Sequence, residues 1–142
     1  MREMLNVRSD WQIVAEAADG NEAILKAFET KPDIVVIDDL LPLVSAVEVT
    51  RQIRARWRRT EVLVLASDDS VARMEALLKA GARGYLQTLD AEDQIVEAVE
   101  SLAAHKPFFT ARVSEALLVS FLAKAERTRL SNRIALGNSA HR

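Results

Sequence analysis

The sequence contains no cysteine. That excludes disulfides and thiolate metal sites, and it fits a reducing, cytoplasmic location. No apolar run approaches the roughly 20 residues a membrane span needs. The opening MREMLNVRSD mixes both charges without an apolar block, so it does not read as a signal peptide. An excess of charge of one sign is also lacking: the formal net charge is −2, which supplies no global field toward nucleic acid or a membrane. Histidine occurs twice, at His105 and His141, in a helix end and a terminal tail away from the strand ends. A hydrolase needs a nucleophile beside a base, and these positions do not provide one. His105, just ahead of Pro107, reads instead as a helix C-terminal residue in a favourable helix dipole.

What is present is an ordinary globular balance in 142 residues, one domain's worth, with 49% apolar and 28% charged residues. Charge is unevenly spread only near the end. From Lys124 onward there are five basic residues (Lys124, Arg127, Arg129, Arg133, Arg142) against Glu126, which reads as a solvated tail.

Strand and helix signals alternate through short connections, the pattern of a parallel sheet covered by helices on both faces. Gln12–Ala17 is a candidate strand. After Asp19-Gly20, Glu22–Glu29 has helical spacing at Ala23, Ile24, Ala27 and Phe28, and Lys31-Pro32 stops it. Ile34–Ile37 and Val62–Leu65 are short continuous apolar runs of the kind buried on both faces. Ala46–Trp57 is helical, with Val49 and Ile53 inward. Ser70–Ala80 is helical and ends at Gly81. Gly84–Gln87 is a last short strand. Asp90 with Asp93 resembles a capping box for a helix whose stripe is Ile95, Val96, Val99 and Leu102. Pro107 breaks that helix, and Thr110 caps another to about Arg129, with Val113, Leu117, Phe121 and the stem of Lys124 on one face. Asp38, directly after IVVI, stands where ligand sites of open parallel sheets lie, beyond a strand's carboxyl end.

The stretches EAADGNEAILKAFETKPDIVVIDDLLP (Glu16–Pro42) and VLVLASDD…ALLKAGARGYL (Val62–Leu86) resemble receiver domains of two-component response regulators, in particular the NarL/LuxR-type subgroup. The resemblance runs from about Arg2 to Leu122. It implies an α/β fold with a doubly wound, three-layer parallel sheet of the flavodoxin/CheY-like kind, here lacking the usual first strand. It also implies a signalling and interaction role, not an enzyme, with a sensor histidine kinase or another signalling protein as partner and a homodimer as a further expectation. Asp38, four residues before Pro42, matches the phosphoacceptor; Asp39 is expected to point to solvent.

Three helpers of that chemistry depart from the family pattern. The acidic pair that would hold Mg²⁺ after the first strand has no counterpart, since MREML resembles the interior of the family's first helix. No cofactor is therefore expected unless such a pair is restored upstream, and no metal ligand beyond Asp38. Ala66 occupies the position of a Ser or Thr hydroxyl, with Ser67 one step along, and Thr88 occupies that of a lysine. Tyr85 matches the switch aromatic. Losing these contacts predicts a weak or inert phosphoacceptor. The expected organisation is a receiver-like domain over 1–109, a C-terminal helix over 110–130 and a disordered tail over 131–142. The alternative is an N-terminal fragment of a phosphorylation-dependent DNA-binding regulator. RLSNRIALGNS (Arg129–Ser139) faintly echoes a helix-turn-helix run but is too short to form one, so no specific DNA binding is expected.

In that family the first strand lies between the second and third. Without it, their facing backbone groups would be left unpaired, which is costly when buried. The expectation is that Gln12–Ala17 closes up and pairs with Ile34–Ile37, giving a four-stranded parallel sheet in sequence order. The other routes are a strand from another chain or a protein that begins further upstream.

Overall fold

The structure, a computed structural model, describes Leu5, residues 10–68 and residues 70–140, with side chains through Thr128. Helix α1 (Gly20–Thr30) starts where the Asp19 carboxylate accepts from the Glu22 N–H at 2.8 Å, satisfying a donor the helix cannot. It stops at Lys31, which turns left-handed (φ 49°) ahead of Pro32. Strand β1 (Ile34–Asp38) leads to α2 (Ala46–Arg56), capped by Ser45. Then come β2 (Glu61–Ala66), α3 (Val71–Ala80, capped by Ser70) and β3 (Gly84–Gln87). The chain finishes with α4 (Thr88–Ala103), β4 (Phe108–Phe109) and α5 (Ala111–Ala140). Gly81 ends α3 at φ 113°, and a Cβ there would lie 2.9 Å from Arg54 Cγ. Both the backbone angle and the neighbour demand glycine.

The four strands form one parallel sheet in the order β1-β2-β3-β4, with Ile34 opposite Glu61, Leu63 opposite Gly84 and Gly84 opposite Phe108. Successive side chains of a strand point to opposite faces, and β2 is buried throughout. Val62, Val64 and Ala66 therefore join Val49, Ile53, Met74, Leu77 and Tyr85 on one face, while Leu63 and Leu65 join Ile95, Ala98 and Leu102 of α4 on the other. Each fully buried Val or Leu contributes about 1.5–3 kcal/mol. Truncating Leu63 to alanine would remove the centre of the second layer, at about 2–5 kcal/mol. At the amino-terminal edge, buried Glu61 meets Arg83 Nη1 and His105 Nδ1 at 3.2 Å each and Arg54 Nη1 at 3.3 Å. His105 sits just past α4 in left-handed backbone (φ 58°). Its side-chain partner is a carboxylate rather than the helix dipole alone.

Four expectations are corrected. Residues 12–17 form no strand and no ladder with β1, so the sheet is parallel and in sequence order but is completed by β4 instead. Backbone groups near that segment are met by α1 side chains: Lys26 Nζ donates to the Glu16 carbonyl, and Glu22 accepts from the Ala18 N–H at 3.2 Å. Strand β4 was missed because two residues cannot show a period. Helix α4 starts directly out of β3 at Thr88 without a side-chain cap, so the expected Asp90–Asp93 capping box does not form. Helix α5 continues past Arg129 to Ala140, through most of the segment expected to be disordered. Its docked face is also different. Val113 is buried and Leu117 packs on the core, but Phe121 is 67% exposed. Ser120 (2.6 Å) and Lys124 instead bond Glu75 of α3.

Candidate functional site

Asp38 ends β1 at the carboxyl edge of the sheet. Its Oδ1 accepts from the Leu40 N–H at 2.9 Å and its carbonyl from the Leu41 N–H at 3.2 Å, a turn that an aspartate closes with its own side chain. The loop then runs through Leu43, at φ 73°, and docks on α1. The Pro42 carbonyl accepts from the Gly20 N–H at 2.9 Å, and a Cβ on Gly20 would fall 2.3 Å from the Val44 carbonyl. Only glycine lets the start of α1 come this close to the loop that follows Asp38.

Asp39 does not point to solvent, contrary to expectation; its side chain is fully buried. Its carboxylate accepts from the Ser67 N–H at 3.2 Å, from the Ser67 hydroxyl at 3.4 Å and from Arg73 Nη1 at 3.0 Å. Arg73 Nη1 also reaches Asp68 at 3.0 Å. The Asp39 bond, followed by the Asp68 charge, raises the Arg73 pKa above its ordinary value. The two adjacent acids thus divide. Asp38 closes its own turn at the carboxyl end of β1, and Asp39 ties the β1–α2 loop to the β2–α3 loop and to α3.

Of the four positions that the resemblance singles out around Asp38, Ala66 and Thr88 are bonded to each other. Ala66 is buried and has no donor in its side chain. Ser67 is held by Asp39. Thr88 donates its hydroxyl to the Ala66 carbonyl at 3.0 Å. Tyr85 is fully buried in the layer that contains Met74 and Val113, with Phe109 and Leu117 packed against it. Beside these residues lies a cavity of about 450 Å³, bounded by Ser67, Asp68, Gln87, Thr88 and Arg112. Arg112, from the first turn of α5, donates to the Gln87 side-chain carbonyl and stands 3.8 Å from Asp90. Sequence reasoning missed Arg73, Gln87 and Arg112, because each enters the site from an element whose placement depends on packing. The doubled acid Asp38-Asp39 was the one visible signal that a second carboxylate had a task.

Magnesium, which the resemblance implies, needs several carboxylate and water oxygens in an octahedron. Among the described residues no group of three or more His, Asp or Glu is placed to hold a metal, and Asp39 is already committed to a guanidinium. The described donors reduce to Asp38 and do not fit a Mg²⁺ site.

Comparison with known proteins gives a consistent picture. Residues 1–100 match the family described as response regulator receiver domain. The oxygen regulatory protein NreC of Staphylococcus epidermidis is 28% identical over 130 residues, covering 91% of this chain and 60% of the relative. The transcriptional regulatory protein DegU of Brevibacillus brevis is 30% identical over 122 residues, covering 85% and 51%. A LuxR-family two-component response regulator from Aurantimonas sp. superposes with a TM-score of 0.79 at 30% identity, covering 85% of this chain and 86% of that one. These relatives are named as regulators, not as enzymes. The chain spans only about half to three-fifths of the two curated relatives. Among the described residues no helix is long and apolar enough to cross a membrane.

Proposed function

This chain belongs to the response regulator receiver domain family, of the NarL/LuxR type, and from that premise we propose that Asp38 is its phosphoacceptor position while the surrounding chemistry leaves it poorly phosphorylatable. The observation that carries this reading is the mutual engagement of Ala66 and Thr88. A phosphoryl group on Asp38 would find no hydroxyl at position 66, no ammonium at position 88 and, among the described residues, no cluster of carboxylates to help hold a metal. Each missing charge-assisted contact removes about 1.5–3 kcal/mol of stabilisation, roughly ten- to hundred-fold in rate. The domain then works in the cytoplasm as a signalling and interaction module, toward a sensor kinase or another signalling protein and toward a second copy of itself.

Acetyl phosphate with Mg²⁺, followed by intact-mass spectrometry, tests the proposal. Little or no phosphoryl adduct is expected. An adduct on most molecules that disappears in Asp38→Ala would overturn it.

A second reading, that this is part of a longer transcriptional regulator, is favoured by the fraction of NreC and DegU that the chain spans. The flanking nucleotide sequence decides it: in-frame coding for an acidic strand upstream or a helix-turn-helix downstream supports that reading.

A further inference from the structure

At the edge of the sheet opposite Asp38, residues 51–59 carry five arginines and no acid, in a chain whose net charge is −2. The fold sorts these arginines into two kinds. Arg54 turns inward, donating to the Arg58 carbonyl and, at 2.7 Å, to the Thr60 carbonyl, 3.3 Å from Glu61. Arg51 is neutralised by Glu48 at 2.5 Å. Arg56, Arg58 and Arg59 remain exposed, and no carboxylate among the described residues pairs with them. Arg58 and Arg59 occupy a turn closed by the Thr60 N–H on the Trp57 carbonyl at 3.3 Å. Because Arg54 holds two carbonyls of that turn, the two outward cations stand on fixed backbone.

Arg56 is held differently. Its guanidinium lies 5.0 Å from the Phe28 ring centre and 5.6 Å from that of Trp57. Those rings meet edge to face at 4.7 Å and 82°. Alongside runs an open cleft of about 520 Å³ lined by Phe28, Arg51, Gln52, Ala55 and Arg56, with exposed Lys31 ending the neighbouring helix. A solvated charged face has no need of this arrangement, in which the guanidinium is already held over aromatic carbon.

We propose that this surface of α1 and α2 binds single-stranded nucleic acid without sequence preference, with phosphates on Arg58 and Arg59 and a base stacked on the outer face of Arg56. Guanidinium forks match phosphate oxygens in a bidentate manner, and unpaired bases stack on arginine planes and aromatic rings. An acidic peptide would use the charge but not the guanidinium plane or the cleft beside it. The proposal is compatible with the absence of sequence-selective DNA recognition, since none of these contacts reads a base pair.

Fluorescence anisotropy of the full chain with labelled oligo-dT and oligo-rU of about 20 nucleotides tests it, and saturable binding of either oligomer supports it. With two phosphates neutralised, affinity should fall about seven-fold from roughly 50 to 200 mM salt. Arg58→Glu with Arg59→Glu should weaken binding at least about ten-fold and flatten that salt dependence. Lys124→Ala with Arg127→Ala, on the basic tail, should leave it unchanged. In a Trp11→Phe background Trp57 is the sole tryptophan; its emission should change on binding, and Arg56→Ala should abolish that change. Far-UV circular dichroism checks that the exposed-site variants stay folded. Absence of binding at low salt, binding indifferent to the charge reversal, equal affinity for a duplex, or displacement by polyglutamate at equal charge would each overturn the proposal, the last assigning the surface to acidic peptides.

Discussion

The Thr88 hydroxyl donates to the Ala66 carbonyl at 3.0 Å, so the two positions that in the family's pattern would contact a phosphoryl group are bonded to each other, across the carboxyl ends of β2 and β3. Thr88→Val removes this part-buried bond and leaves a carbonyl without that donor. We expect a loss of about 1 kcal/mol in urea unfolding and no change in phosphoryl adduct. A variant that gained adduct would show that Thr88 had been acting against phosphorylation, not merely failing to assist it.

Asp39 should matter more to stability than Asp38. Its buried carboxylate serves the Ser67 N–H, the Ser67 hydroxyl and Arg73, and Asp39→Ala strands both Ser67 donors and leaves Arg73 with Asp68 alone. The expected cost is about 2–3 kcal/mol, whereas Asp38→Ala, which loses one exposed bond to the Leu40 N–H, should cost about 1 kcal/mol or less. Denaturation midpoints rank the two variants. Hydrogen exchange should also show faster opening of the β2–α3 loop in Asp39→Ala alone.

The docking of α5 on α3 should weaken in acid. Bonds from Lys124 and then Ser120 hold the Glu75 carboxyl below the usual carboxylate range, so the docked state binds a proton less readily than the undocked one. Their contribution is complete above the ordinary carboxylate pKa and is lost as pH falls through the lowered one. Hydrogen exchange across α5, corrected for the intrinsic rate, should rise in that acid window relative to α4. Glu75→Gln should remove the difference; a profile identical in both proteins would contradict the assignment.

Leu118, Val119, Phe121 and Leu122 are each more than half exposed along α5, an apolar strip of the kind that commonly marks a protein contact. Concentration-dependent association is the expected behaviour in light scattering, and Leu118→Glu should return the chain to monomer without lowering its melting temperature. A chain that stays monomeric at high concentration, with Leu118→Glu changing nothing, would sink this prediction.

Much of the architecture was legible because local chemistry and packing agree. Ile34–Ile37 and Val62–Leu65 both read as doubly buried strands; β2 is buried throughout with alternate residues serving opposite layers, whereas β1, at the edge of the described sheet, buries only Ile37. Asp19, Ser45, Ser70 and Gly81 bound their helices by bonds that involve only near neighbours. Asp38 could be placed because a strand end fixes its own carboxyl edge. The expected strand at residues 12–17 does not form because residue type shows which segments could be extended, not whether a partner lies within hydrogen-bonding reach. Phe121 was misread because an α5 stripe has several faces, and Glu75 on another helix selected the one bearing Ser120 and Lys124.

Sequence alone therefore determined the alternation of strands and helices, the glycine that ends α3 and the place of Asp38 at a strand's carboxyl end. It also showed that Ala66 and Thr88 lack the groups the family pattern supplies, since that is a matter of residue identity. Tertiary structure decided what the remaining polar groups do. The burial of Asp39, its bond to Arg73 across 34 positions of chain and the placement of Arg56 over Phe28 and Trp57 depend on which loops and helices meet. The physical reason is one of range. Helix caps and strand alternation are set by backbone geometry within a few residues, whereas the partner of a charge is whichever group packing brings within about 4 Å of it.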